Sequence, residues 1–340
     1  MSFVSARVLI TLALIALFPA CWALAEPEGF FYKEANLIAG YSSKDRWVDK
    51  NGMMNSSVGL EWYRKFSGEY GDFLTADLQV RASYDSKKNS TESWGLEIHN
   101  AWLEYKFSQY LKIRGGHFDP SFGLEPVVDT HSTLLQTLAE QDIGFNKDWG
   151  AQLRGAFPHF DYEASLQLGS GMSVRRRDDS YLATFRIGTP QGRNWQAGLS
   201  LLSGRVLQTE GMRTVPKNHL LSEDTITQER VGLDGQYLFG PALFKGEVAY
   251  GRNDSADVLG YLTELDYTVP SIQNLELQLQ YKSWISDLSN TSTNDGWLTF
   301  GAAYKLSQST TLRAAFEHDF GMMDKKTEDR FVVQFYFLGA

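Results

Sequence analysis

From about residue 30 onward, apolar and polar side chains alternate along almost the whole chain. Over residues 73–84 one face reads Leu74, Ala76, Leu78, Val80, Ala82 and Tyr84, and the other Thr75, Asp77, Gln79 and Arg81. Residues 275–282 set Leu275, Leu277, Leu279 and Tyr281 against Glu276, Gln278, Gln280 and Lys282. Residues 298–306 set Leu298, Phe300, Ala302, Tyr304 and Leu306 against Thr299, Gly301, Ala303 and Lys305. Successive side chains of a strand point to opposite faces, so this period of two predicts strands that are apolar on one side only. About sixteen such strands are predicted, near residues 30–41, 57–66, 73–84, 95–107, 110–118, 149–157, 160–169, 180–188, 195–206, 228–238, 243–251, 257–268, 274–284, 296–306, 310–320 and 329–338.

The connections between them alternate short and long. Ser108-Gln109, Pro158-His159, 239–242 and 307–309 are tight turns. The stretches 42–56, 85–94, 119–148, 170–179, 207–227, 285–295 and 321–328 are long and polar. That rhythm predicts an all-β, antiparallel up-and-down barrel with its long loops at one end. A ring of about sixteen strands is too wide for side chains to fill. Its charged inner face must therefore line water, since unpaired charges in a dry core are too costly. The apolar faces then turn outward, towards lipid. Tyr84, Trp149, Trp195, Tyr250 and Trp297 near the strand ends are expected in aromatic girdles at the membrane surfaces.

Composition sharpens this picture. Aromatic residues reach 14% of the 340, which argues against a disordered or fibrous chain. The formal net charge of -9 speaks against a nucleic-acid partner. The single cysteine, Cys21, rules out a disulfide framework or a cysteine zinc cluster. The first residues read as an export signal: Arg7, an apolar run from Val8 to Phe18 interrupted by Thr11, and Ala23-Leu24-Ala25 as a cleavage site before Glu26. The competing lipoprotein reading, with Cys21 acylated, fits poorly because Phe18, Pro19 and Ala20 precede it. Residues 1–25 are thus expected to be a signal peptide and residues 26–340 one outer-membrane barrel of a Gram-negative-type bacterium. The mature chain would carry 31 basic against 41 acidic residues.

The most individual stretch is Gly115 to Pro126, Gly-Gly-His-Phe-Asp-Pro-Ser-Phe-Gly-Leu-Glu-Pro, after Asn100 to Phe107 and Leu111 to Arg114. Over about residues 98–155 the chain resembles the phosphate-selective porin O/P family, whose motif is matched by Pro120, Phe122, Gly123, Leu124 and Glu125. Ser121 replaces a proline sometimes found there. The last strand also resembles the terminal aromatic strand read by outer-membrane assembly machinery, although Leu338-Gly339-Ala340 follow its final Phe337. The resemblance implies a sixteen-stranded, usually homotrimeric porin whose third long loop folds inward as a constriction. Independently, Leu134, Leu135 and Leu138 have helical spacing, with Thr130 or Ser132 as a cap, and predict a short helix within 127–140. It would pack either inside the wall or on neighbouring surface loops.

The family's phosphate preference does not follow from the charges. Opposing the apolar faces assigns eleven bases to the lumen: Lys65, Arg81, Lys106, Lys112, Arg114, Arg154, Arg186, Arg230, Lys245, Lys282 and Arg313. It assigns twelve acids: Glu61, Asp77, Glu104, Asp161, Glu163, Asp234, Glu247, Glu264, Asp266, Glu276, Glu317 and Asp319. Many could simply pair across strands and stiffen the wall. One asymmetry stands out: Lys112, Arg114, Arg154 and Arg186 cluster beside the third loop, while Glu264, Asp266 and Glu276 lie across the ring. These are the candidate constriction residues, and opposed charges there would set a transverse field.

Other classes find less support. His99, His117, His131, His159, His219 and His318 make no recognisable catalytic spacing, and neither G-x-S-x-G nor H-E-x-x-H occurs. Trp102 and Trp94 could stack sugars but are better explained as wall or girdle residues. A sleeve around a multihaem cytochrome would need a cytochrome partner, since no C-x-x-C-H haem site occurs. The expected function is passive diffusion of small hydrophilic solutes or ions through a water-filled pore in outer-membrane lipid, with no cofactor.

Overall fold

The computed structural model describes residues 29–52, 54–86, 93–130, 133–171, 179–207, 225–290, 294–321 and 327–340. The signal segment and Cys21 lie outside the described residues, as do His131, Ser132 and His219. Sixteen long strands run up and down: β1 Gly29–Ser42, β2 Met54–Gly68, β3 Gly71–Tyr84, β4 Trp94–Lys106, β5 Lys112–Phe118, β6 Asp148–Ala156, β7 Asp161–Gln167 and β8 Tyr181–Gly188. The second half comprises β9 Trp195–Leu207, β10 Thr225–Phe239, β11 Ala242–Asn253, β12 Ala256–Thr268, β13 Leu275–Ile285, β14 Asn294–Lys305, β15 Thr310–Asp319 and β16 Glu328–Gly339. Two short extended pieces, Arg46–Val48 and Lys50–Asn51, belong to the first long loop. Every strand pairs antiparallel with the next. β16 returns to β1, from Lys33 opposite Gly339 to Ser42 opposite Arg330, and closes the ring.

The period-two pattern determines which way each side chain points. On β9, Leu199 and Leu201 face out while Ser200 and Leu202 are buried inside. On β12, Leu265 and Tyr267 face out while Glu264 and Asp266 face in. The outer surface is a continuous apolar band, with Leu201 50%, Leu233 60% and Phe300 52% exposed. Such a band is explicable only against lipid. No helix among the described residues is long and apolar enough to cross a membrane.

Exposed aromatic side chains mark both rims. Trp195, Tyr237, Phe239 and Phe244 stand near the short-turn end, and Tyr41, Trp94, Tyr250 and Phe331 near the loop end. Trp297, expected in a girdle, is a correction. It is buried on the inner face with Val258 and Trp284, because it shares the parity of Thr299 rather than that of Phe300. Trp149 is half-buried with its ring centroid 5.1 Å from that of His117.

The apolar core lies inside the barrel. Leu182, Leu202, Val206, Ile226 and Ala249 face inward and form one buried cluster with Phe122, Leu138, Ala139, Ile143 and Phe145. The latter five come from the segment between β5 and β6. A barrel this wide cannot fill itself with wall side chains, so a loop supplies the missing core.

Candidate functional site

The third long loop, residues 119–147, is seated against the inner wall by its motif. The Ser121 amide donates to Thr184 Oγ1 on β8 (2.9 Å), and Gln152 on β6 donates to the Ser121 hydroxyl (2.9 Å). The Gly123 amide donates to Ser200 Oγ on β9 (3.1 Å), and the Leu124 amide to the Glu247 carboxylate on β11. The Phe122 ring lies over Gly232 on β10, where an added Cβ would come within 2.8 Å of it. Five strands therefore hold a motif of a few residues. Gly123 has φ +60 and lies against the Glu247 carboxylate, so only a residue without a side chain fits.

The next part of the loop differs from expectation. Among the described residues no helix spans 127–140, and the one helix there is α1, Ala139–Asp142, with Leu138 at its N-cap and no side-chain cap. Backbone acceptors that a helix would use are taken from outside: Asn51 donates to the Leu134 carbonyl (2.7 Å) and Gln280 to the Gln136 carbonyl (3.1 Å). The Thr133 hydroxyl bonds the Leu135 carbonyl at 2.7 Å, a local competition typical of Ser and Thr. The three leucines do pack inward. Leu134 and Leu135 join Ile38, Val48, Ala315 and Val332, while Leu138 joins the main cluster. Beyond them Asp142 accepts from Arg230 Nε on β10 at 2.6 Å, with both side chains buried.

Glu125 ends the motif inside the barrel. It accepts a hydrogen bond from Thr137 Oγ1. Burial, reinforced by the nearby Asp119 charge, pushes its carboxyl up from the ordinary 4.5 to about 8. A carboxyl whose pKa is raised in the folded loop favours the seated state fully below about 4.5, and that contribution is lost as pH rises through about 8. Unitary conductance is therefore expected to rise or become noisier between pH 7 and 9 as the loop loosens. Glu125→Gln should remove that step in single-channel recordings, and a step unchanged by the substitution would assign it to another group.

The four predicted bases are distributed over two ion-pair groups. Glu104 on β4 gathers three of them, with Lys112 at 3.9 Å, Arg114 at 2.9 Å and Arg154 at 3.7 Å. Arg154 also reaches Glu163 at 3.6 Å. The Arg114 guanidinium lies 4.1 Å above the ring of Trp102, which thus faces the lumen, whereas Trp94 is on the outside. Arg186 instead forms a forked pair with Asp234, at 3.0 and 2.5 Å. Lys112, Arg154 and Arg186 line one recess of about 260 Å³. Across the ring, Glu264 and Asp266 hold Lys245 between them at 2.6 and 2.7 Å and lie almost buried behind the third loop. Glu276, on β13, has Asp266, Lys245, Lys305 and Arg313 as its charged neighbours.

The space that the loop leaves open is a cavity of about 510 Å³. Glu61, Gln79 and Asn100 line it from β2, β3 and β4, and Asp119, Glu125, Asp129, Thr130 and Lys147 line it from the loop. The family of this architecture follows from comparison. A model described as Gram-negative porin matches residues 11–321. The chain belongs to the Gram-negative porin family. Its outer-membrane location follows from that membership together with the apolar outer band.

Among curated proteins, Porin O of Pseudomonas aeruginosa is 26% identical over 167 residues, which are 46% of this chain and 36% of that protein. The matched segment thus spans about a third of that relative's length. An anion-selective porin from Comamonas acidovorans superposes over 92% of this porin and 100% of its own chain, with TM-score 0.65 and 14% identity. The trimer form of OmpT from Vibrio cholerae gives TM-score 0.63 at 12% identity, covering 93% of this porin and all of that chain. OmpF of Salmonella typhi in complex with daunomycin gives 0.63 at 10%, covering 92% and 97%. At these identities the solved structures show the fold alone.

In this porin the third loop is anchored by Thr184, Ser200, Arg230 and Glu247, of which Thr184 and Ser200 carried no sign in the sequence. Arg230 and Glu247 were visible as lumen charges, but nothing local revealed that a loop would bind them.

Proposed function

We propose that this porin is a passive diffusion pore for small hydrophilic solutes and ions. The observation that carries the reading is the seated third loop: it is anchored on β6 and β8–β11, packs on β1, β15 and β16, and leaves a polar cavity against β2–β4. No step in such transport needs a reacting group or a cofactor, and the fold class speaks for a channel rather than an enzyme. The homotrimer is part of the same proposal, and the trimer form of the Vibrio cholerae neighbour supports it. Phosphate or general anion preference is not carried over, because the bases beside the loop are matched by Glu104, Glu163 and Asp234. The cytochrome-sleeve reading is disfavoured, because a loop anchored by buried ion pairs occupies the space a haem protein would need.

Protein purified from outer membranes is expected to begin at Glu26 and to give stepwise, ohmic conductance in a planar bilayer. Correctly folded protein that gives no steps would refute the open-pore reading.

A further inference from the structure

The third loop is held by a second loop as well as by the wall. Between β1 and β2 the first long loop turns into the barrel. Its residues Arg46 to Val48 pair back on β1, with Val48 opposite Gly40 and Arg46 opposite Ser42. Val48, Asp49 and Asn51 are buried, although they belong to a loop at the barrel mouth.

This loop grips residues 134–140 of the third loop. The Asn51 side chain donates to the Leu134 carbonyl at 2.7 Å, with both groups buried. Val48 shares an apolar cluster with Leu134 and Leu135, closed by Ile38 of β1, Ala315 of β15 and Val332 of β16. Gly52, at φ +58, makes room for the Glu140 carboxylate, which lies 2.9 Å from where a Cβ would stand. The grip is thus separate from the motif at 121–125 and from the Asp142–Arg230 pair.

The same loop is tied to the second. Lys50 Nζ pairs with Asp85 Oδ2 at 2.8 Å, and the Ser86 amide donates to Asp49 Oδ2 at 3.0 Å. Asp85 and Ser86 follow directly on Tyr84, the last residue of β3. Asp49 and Lys50 therefore bind the second loop, and Asn51 and Gly52 the third. Four consecutive residues cannot let go of one partner without shifting against the other. Coupling between distant sites travels through such contiguous contacts when the linking element has two arrangements. Here these are a gripped first loop and one in which Asn51 has left the Leu134 carbonyl. Lys50 is the end of the chain of contacts that water reaches, with 31% of its side chain exposed.

We propose that residues 46–52 are a strut that couples the second loop to the third, so that the Lys50–Asp85 pair at the barrel mouth helps to set how firmly the third loop is seated.

The test combines hydrogen exchange with single-channel recording. The amides of Thr133, Gln141 and Asp142 donate within the third loop and report its opening. In Lys50→Glu they should exchange several-fold faster than in wild type, and the open-channel current should be several-fold noisier. Asp85→Asn, made in the second loop, should act in the same direction. Lys50→Glu combined with Asp85→Lys restores the pair in reverse, and should return both readings towards wild type, which a folding defect would not do. Asn51→Leu cuts the strut at its inner end, so adding Lys50→Glu to it should change exchange in the third loop little further. Faster exchange confined to the first two loops, a reversed pair that fails to restore, or fully additive effects would each overturn the strut. The noise reading rests on the open-pore reading, whereas exchange needs no conduction. Folded wild type that gives no current while its variants follow the expected exchange pattern would refute the pore and leave the strut standing.

Discussion

A porin carrying Arg230→Ala is expected to pass more current per channel than the wild type and to unfold in less denaturant. Arg230 is the hub that fixes the far end of the third loop. Its Nε donates to Asp142 Oδ1 at 2.6 Å, its Nη1 to the carbonyls of Glu229 and Arg252, and its Nη2 to Asn253 Oδ1 at 2.5 Å. The guanidinium also lies 5.5 Å from the centre of the Trp284 ring. Removing one member of a fully buried ion pair leaves the other uncompensated and costs about 3–5 kcal/mol. The barrel wall keeps its backbone pairing, so most of that cost falls on the seating of α1 and its neighbours. The loop then swings into wider positions and the constriction opens. Asp142→Asn should act in the same direction but less strongly, because an amide still accepts from Arg230. Wild-type conductance in a folded Arg230→Ala channel would show that the anchor does not control the aperture.

The second large effect is expected at the other end of the loop. Gly123→Val should unseat the motif outright. The substitution combines a left-handed backbone, φ +60, with a side chain directed into Glu247. Gly→Ala in an ordinary setting costs little, but a β-branched residue at positive φ is a true outlier. The neighbouring bonds to Thr184, Ser200 and Glu247 run along one short stretch of backbone, so they should fail together. The measured outcome should be a larger unitary conductance with the barrel still resistant to cold detergent. Ser121→Ala, which loses only a hydroxyl contact, should stay close to wild type. If Gly123→Val conducts like wild type, the motif is not what holds the loop.

These two positions show where sequence reading succeeds and where it stops. The wall was legible because an outward side chain meets lipid everywhere and obeys a strict period of two. Leu265 and Glu264 state their faces without help from distant residues. The interior was only half legible. Leu201-Leu202 and Val258-Leu259 break the alternation, and at both places the inward member is buried, beneath the third loop at Leu202 and with Trp284 and Trp297 at Val258. Two adjacent apolar residues in an otherwise alternating strand were therefore the available sign of an internal core. The candidate charges share this limit. Parity puts Glu264, Asp266 and Lys245 on one inner face. It cannot reveal that the lysine sits between the two acids, or that the loop stands in front of them. The helix expected over 127–140 failed for a related reason: Asn51 and Gln280, remote in sequence, take the carbonyls it would have used.

The seam between β1 and β16 has a consequence for how the molecule is made. Ten residue pairs join the two ends of the barrel across nearly the whole chain, from Lys33–Gly339 to Ser42–Arg330. All other neighbouring strands are consecutive in the chain and pair as hairpins. The seam joins the first strand to the last, and it closes the longest loop of any contact in the barrel. Until it forms, the sheet has two open edges, each ready to recruit a strand from another copy. Both β1 and β16 therefore stay exposed as unpaired edges until the ring closes.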